Sequence, residues 1–291
     1  RDRLRSRGLG DVYKRQPFTS YNEINATIQY DTKLKSLLYG KMMLIETALK
    51  NIALNTIMVE INSNSIYDMY DKAVSSYKNA PPGTSEGIKK NFQNNKLNLQ
   101  GSIQNSIAAA YRKENPKITH FYNTVNYNEV PIWAIFEILT MGDFGYLLSC
   151  LTQDIRRKIS KNIGLNLSSD TNCTLVYKYV YALKDLRNAI AHNDVAYDTR
   201  FRKIDPSKPM KQCLMIEMRL PYINFKTIGD YIILICYFLK LLKISKTEIK
   251  SFIREFEKIT KEYKEQVSSD VAAITIHPDL FPRMTILKNT L

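Results

Sequence analysis

The stretch Ser169–Asp194, SDTNCTLVYKYVYALKDLRNAIAHND, carries the clearest helical pattern in this chain, a helix expected over Thr171–His192. Leu175, Tyr179, Leu183, Leu186 and Ile190 recur at spacings of three and four, the period of one buried helix face. Asp170 or Thr171 stands ahead of the pattern as an N-cap, and Asn193 or Asp194 behind it as a left-handed stop. At about 100° per residue, Asp185, Asn188 and His192 share a second, polar face, while Arg187 lies about 140° from His192. One straight helix therefore does not aim Arg187 and His192 at a single point. Either the helix ends near His192, or a second copy of the chain completes the site.

The residue types matter because the chain has only three histidines, His120, His192 and His277. An imidazole moves protons near neutral pH, and a guanidinium holds phosphate oxygens with forked hydrogen bonds. Metal-free cleavage of an RNA phosphodiester needs both groups. Arginine and histidine near a helix C-terminus also have a plain structural use, since cations there offset the helix dipole.

Outward from this helix, the chain reads as further capped amphipathic segments. Ser20 with Glu23 forms a capping-box pattern, and Asp31 caps a long helix through Ile61, with Leu34, Leu38, Met42, Ile45, Leu49, Ile52 and Ile57 as its stripe. Glu46 sits beside that stripe and reads as a solvated or ion-paired carboxylate. Asn62–Lys78 and Asn94–Glu114 are expected helices, separated by the loop around Pro81-Pro82-Gly83. Asn115–Val130 is an aromatic connector holding His120, Phe121, Tyr122 and Tyr127. Pro131 opens a helix as its first residue, which breaks near Gly142-Asp143-Phe144-Gly145, and Thr152 caps another that ends at Gly164. Beyond Tyr197, Cys213–Leu220 suggests a short strand, Thr227–Lys243 a buried helix, Ser245 with Glu248 the start of a last long helix to Val267, and Asp279–Leu291 a packed tail.

Composition agrees with helices. Gly and Pro are sparse at ten each in 291 residues, and 44% of the residues are hydrophobic, enough for a sizeable core. The net charge of +14 suits a polyanionic partner. Arg156, Arg157 and Lys158, with Arg200, Arg202 and Lys203, are the candidate phosphate contacts. Residues 1–16, RDRLRSRGLGDVYKRQ, look like a foreign leader left by sequence assembly; removing their net +4 leaves +10. Residues 17–291 are then expected to form one helical domain. Cys150, Cys173, Cys213 and Cys236 show no CxxC spacing and read as buried thiols. No Gly-rich phosphate loop, metal-ligand cluster or secretory signal is visible, so no cofactor and no metal are expected. The strongest apolar run, Tyr231–Leu239, is too short to span a bilayer, which makes a cytoplasmic protein the default reading.

The Arg187-Asn188-x3-His192 spacing resembles the Arg-x4-His signature of the HEPN superfamily of helical ribonucleases and RNA-binding modules. A wider pattern is similar to the Abi-like family of bacterial abortive-infection proteins. It comprises Tyr30-Asp31-x-Lys33-Leu34 with Ile45-Glu46-x-Ala48-Leu49-Lys50, then His120-Phe121-Tyr122 leading to Pro131-Ile132-Trp133, Glu137, Thr140 and Gly142, and last Asp185-Leu186-Arg187-Asn188-x3-His192. The region after Tyr197 is similar only through Leu280-Phe281-Pro282. The resemblance implies an all-α HEPN-type bundle with at most a minor strand pair, dimeric, with two motifs facing each other. It implies a phage-defence endoribonuclease in which His192 is general base or acid, Arg187 stabilises phosphate charge, Asn188 orients phosphate or His192, and Asp185 holds the arginine. Glu137 is the member of the second block to test for function. A module that holds a noncoding RNA or a partner protein without cutting is the alternative, since it uses the same groups.

Overall fold

The computed structural model describes residues 18–123 and 129–291. The expected leader, residues 1–16, and Tyr127 of the aromatic connector lie outside them.

Helix α1 runs unbroken over Tyr21–Ile61 and is the spine of an all-α fold. It begins ten residues before the expected start. Ser20 is the N-cap, its hydroxyl accepting from the Glu23 N–H, and Asp31 lies inside the helix with its carboxylate committed elsewhere. Leu34, Leu38, Met42, Ile45, Leu49, Ala53 and Ile57 are all essentially inaccessible to solvent, and Asn62 ends the helix in the left-handed region (φ 49°). By length and composition alone α1 could cross a membrane, but this stripe is spent on the protein's own core.

After α1 the expected helix over 62–78 is reduced to one turn, Ile66–Asp68, running into a π-helical turn, Met69–Ala73. Val74 instead bridges Leu151, the sole β-pairing among the described residues. Helix α2, Glu86–Arg112, buries only Leu99, Ile103, Ile107 and Ala110, which leaves most of its Asn- and Gln-rich surface in water. The aromatic connector holds α3, Pro116–Asn123. Pro131 is the N-cap of α4, Ile132–Ile138, not its first residue. The chain breaks at Leu139–Thr140, where the Thr140 hydroxyl accepts from the Asp143 N–H and starts α5, Met141–Cys150. The glycines expected to break a helix thus lie inside one. Gly145 has a packing reason: a Cβ there would come 2.9 Å from the Tyr181 ring and 3.2 Å from Val180.

Helix α6, Gln153–Ile163, stops at Gly164 (φ 93°). Helix α7, Leu175–Ala191, starts with Thr174 at the N-cap position, while Asp170 accepts from the Thr174 and Leu175 N–H groups at 2.8 and 2.7 Å. It buries Leu175, Tyr179, Leu183 and Leu186 as the periodicity requires, together with Val176, Val180 and Ala189. It packs against α5, α1 and α6.

The expected strand at Cys213–Leu220 is helix α8, Lys208–Glu217. Ser207 caps it and Pro209 lies in its first turn, so Met210, Cys213 and Leu214 fall on one buried face at helical spacing. Helix α9, Ile228–Leu241, is buried on every side from Ile228 to Leu239. Helix α10, Lys246–Gln266, starts at Ser245 through the Glu248 N–H and packs along α1. Two shorter helices follow, α11, Ser269–Thr275, and α12, Leu280–Thr290. Inside this end, the buried Arg283 of α12 pairs with Asp230 of α9 and also donates to the Tyr222 carbonyl. All four cysteines are free and buried.

Two checks follow from the packing. Gly145→Val should destabilise the protein by about 1–3 kcal/mol through overpacking against Tyr181. Gly101→Ala, on α2 with open space around it, should stabilise by roughly 0.5–1 kcal/mol. Urea denaturation of both variants reads the opposite signs.

Glu23 gives a pH test. The Ser268 hydroxyl, then the backbone N–H groups of Thr19 and Ser268, hold its carboxyl at about 2, down from an ordinary 4.5. A carboxyl depressed by folding contributes stability above its unfolded value, and that contribution fades as pH falls through the folded value. The melting-temperature deficit of Glu23→Gln relative to the parent should be full above pH 4.5 and shrink toward pH 2. A deficit constant over that range would contradict the assignment.

Candidate functional site

Helix α7 ends in a Schellman turn. Asn193 takes the left-handed conformation (φ 57°), the Asp194 N–H donates to the Ala189 carbonyl at 2.8 Å, and the Asn193 N–H donates to Ile190 at 3.4 Å. His192 is the C-cap and is exposed. The turn behind it is tied to α1. Lys35 donates to the Asn193 side chain at 2.5 Å, and Asp31 accepts from the Ala196 and Tyr197 N–H groups at 2.7 and 2.9 Å while pairing with Lys35 at 2.8 Å. The carboxylate expected to start α1 thus fixes the chain leaving His192.

Arg187 faces α1. Its Nε donates to Glu46 Oε2 at 3.3 Å, and its Nη1 lies 3.5 Å from the Asn188 side-chain oxygen. Glu46 is only 8% exposed and also accepts from Lys50 at 2.9 Å. Lys50 continues to the Leu139 carbonyl at 2.6 Å, in the break between α4 and α5. A carboxylate this deep needs cationic partners, and two meet it. The network therefore joins α1, α7 and the α4–α5 corner, and it holds Arg187 by one edge. Arginine carries five N–H donors in a planar fork, and at 29% side-chain exposure part of that fork remains open to solvent.

The expected partner of Arg187 was Asp185, and here the structure differs. Asp185 points away from the arginine, accepts from the Lys203 N–H at 3.3 Å and has Lys184 Nζ at 3.2 Å. Glu46 fills the role given to Asp185. Its sequence signal was a carboxylate next to the apolar stripe of a buried helix, with Lys50 one turn on.

Arg187 and Asn188 are brought together with Glu46 and Lys50. His192 stands at the end of the same helix, on a different azimuth from Arg187, and joins none of these bonds. What α7 leaves partly or fully exposed is Tyr177, Lys178, Tyr181, Lys184, Arg187, Asn188, Ile190, Ala191 and His192, while Leu183, Asp185, Leu186 and Ala189 are already buried inside the protomer.

The basic candidates divide. Arg156 donates to the Ser149 and Leu151 carbonyls at 3.1 and 2.8 Å and lies over the Tyr177 ring, so it caps α5 from within. Arg202 likewise donates to the Phe225 and Asn224 carbonyls at 2.9 and 3.3 Å and to Asp205 at 3.0 Å. Arg157, Lys158, Arg200 and Lys203 are exposed; the first three sit near Asp154, Glu60 and Asp198 respectively. Exposed pairs of this kind exchange partners at little cost. Glu137 is exposed and paired with Lys117, far along the chain from α7.

The model of the Abi-like protein family matches residues 6–198 of this chain. The match contains α1 to α7, with Glu46, Arg187, Asn188 and His192; it also enters residues 1–16, and α8 to α12 lie beyond it. No curated protein and no solved structure matches. With two thirds of its length matched, including every helix that builds the Arg187 network, the chain belongs to the Abi-like protein family.

Proposed function

We propose that this protein is a metal-independent endoribonuclease of the HEPN kind, acting in the bacterial cytoplasm in abortive-infection defence against phage. The observation that carries this reading is the Glu46–Arg187–Asn188 network, one turn before an exposed His192. A buried carboxylate fixes the guanidinium by one edge and leaves donors for phosphate. Family membership supports the defence role, and the basic balance of the chain supports a nucleic-acid substrate.

The chemistry follows from the groups. A histidine takes the proton of the ribose 2′-OH as that oxygen attacks phosphorus, the P–O5′ bond breaks, and a second acid returns a proton to the leaving 5′-oxygen. Arg187 stabilises the charge that builds on the non-bridging oxygens, where an aimed donor is worth most. Asn188 orients the phosphate. The angular offset of Arg187 from His192 on α7 supports a two-fold dimer in which one protomer's arginine serves the phosphate held near its partner's histidine. The same offset favours the alternative, a module that binds RNA without cutting it, should the chain be monomeric.

Labelled RNA incubated with the full chain in EDTA should be cut to 2′,3′-cyclic phosphate and 5′-hydroxyl ends, and RNA with a 2′-deoxy at the cut site should stay intact. His192→Ala should lower the rate by roughly 10²–10⁴-fold with little change in stability. Arg187→Lys should fail because an ammonium lacks the bidentate fork. Glu46→Gln should cost up to roughly 10²-fold in kcat by misplacing Arg187. Cutting that vanishes in EDTA and returns with Mg²⁺, or a fully active His192→Ala, would refute the mechanism.

Mass photometry should find a dimer at micromolar concentration. A monomer that cleaves RNA at full rate would rule out the shared site.

A further inference from the structure

Two cross-links fix how α7 lies against α1. Lys35 donates to Asn193, just past the end of α7, and about three turns further along α1 Glu46 accepts from Arg187. The two helices therefore run antiparallel here, and the last turn of α7 lies opposite the segment of α1 between the links. Tyr39 is in that segment. At about 100° per residue it stands about 40° from Lys35 and about 20° from Glu46 around the axis, on the margin of α1 that faces α7.

On either side of Tyr39 this margin is closed. The side chains of Lys35 and Lys50 are 13% and 14% exposed, and Glu46 is buried. Tyr39 is 52% exposed, and among the described residues no hydrogen bond or ring contact engages it. The residues around it stand low. Ala191, one turn after Arg187 on α7, is small and exposed, and a Cβ added at Gly40 would meet nothing within 4 Å. The seam between α1 and α7 is notched at this level, and a phenol ring stands in the notch.

Arg187 keeps part of its fork open at the same seam, and the carboxylate that holds it lies about 10 Å along α1 from Tyr39. Lys35 and Lys50 are spent on Asp31 and Glu46. What the notch offers is thus a guanidinium for a phosphate and a flat apolar face for a base. At about 3.4 Å or more of strand per nucleotide, that distance spans roughly one to three nucleotides. We propose that Tyr39 is a stacking platform of the nuclease site, holding a base of the RNA strand within roughly three nucleotides of the phosphate at Arg187. Every base has a π-face, so the ring fixes where the strand lies and leaves the choice of sequence to other contacts. The proposal rests on the ribonuclease reading for its RNA, but stacking is read from binding alone.

Fluorescence anisotropy with the full-length His192→Ala protein in EDTA tests it, using a labelled mixed-sequence RNA strand and a series of the same strand with one base removed at each position in turn. Adding Tyr39→Ala should weaken binding of the intact strand roughly tenfold, while Tyr39→Phe should stay within about twofold. The melting temperature should not fall, since the ring is largely in water. Removing the base at one position should cost the same roughly tenfold when Tyr39 is present and nothing further in Tyr39→Ala. No RNA binding, unchanged binding by Tyr39→Ala, a Tyr39→Phe loss equal to that of Tyr39→Ala, or no position coupled to the ring overturns the platform. So does a Tyr39→Ala protein that becomes monomeric in mass photometry, which would assign the ring to a contact between two copies. A chain with Tyr39→Ala alone that cuts RNA at the parental KM would lose the platform and keep the nuclease. One that stacks a base on Tyr39 and cuts nothing would do the reverse.

Discussion

Along 41 residues α1 carries one continuous apolar stripe, and each turn of it has to be taken out of water by something. No single neighbour is long enough. Helix α10 covers it along one side, α6 takes the C-terminal part, and α7 and α9 pack against it. Each buried leucine or isoleucine on the stripe contributes about 1.5–3 kcal/mol on removal from water, so the arrangement of these helices is set by the need to cover α1. Polar groups that fall within the stripe, Asp31 and Glu46, cannot reach bulk water. They must be met by chain that happens to lie opposite, and that chain is α7 and the segment following it.

This explains what was legible in the sequence. The body and the end of the helix expected over Thr171–His192, and the Ser245 start, were readable because their signals are local, although the N-cap falls at Thr174 and not at Asp170 or Thr171. The Asn193 stop was readable for the same reason. Asp31 was misread as a cap because its partners, Ala196 and Tyr197, lie 165 and 166 residues away. Glu46 was undervalued because Arg187 is 141 residues distant. At 213–220, apolar residues suggested a strand while the better signal, Ser207 followed by Pro209, lay just upstream. Gly142 and Gly145 looked like breakers; in the fold, Gly145 is where α5 comes within touching distance of Tyr181.

Charge was legible in total but not in use. Arg156 and Arg202 look like surface cations in the sequence, yet each is turned onto backbone carbonyls of its own fold. Guanidinium groups suit this task because their donors fan out in a plane. A count of basic residues therefore overstates the positive surface offered to a polyanion, and Arg157, Lys158, Arg200 and Lys203 carry more of it than the full set suggests.

The tether from Asp31 to the backbone of Ala196 and Tyr197 couples two segments far apart in the chain thermodynamically. The first turns of α1 and the chain leaving His192 share these bonds, so fraying of one exposes the amides of the other. Linkage is reciprocal. Whatever clamps the loop behind His192 slows amide exchange in the opening turns of α1 by the same free energy, and whatever loosens those turns relaxes the loop. The histidine's mobility is thus governed from a part of the chain that never touches it.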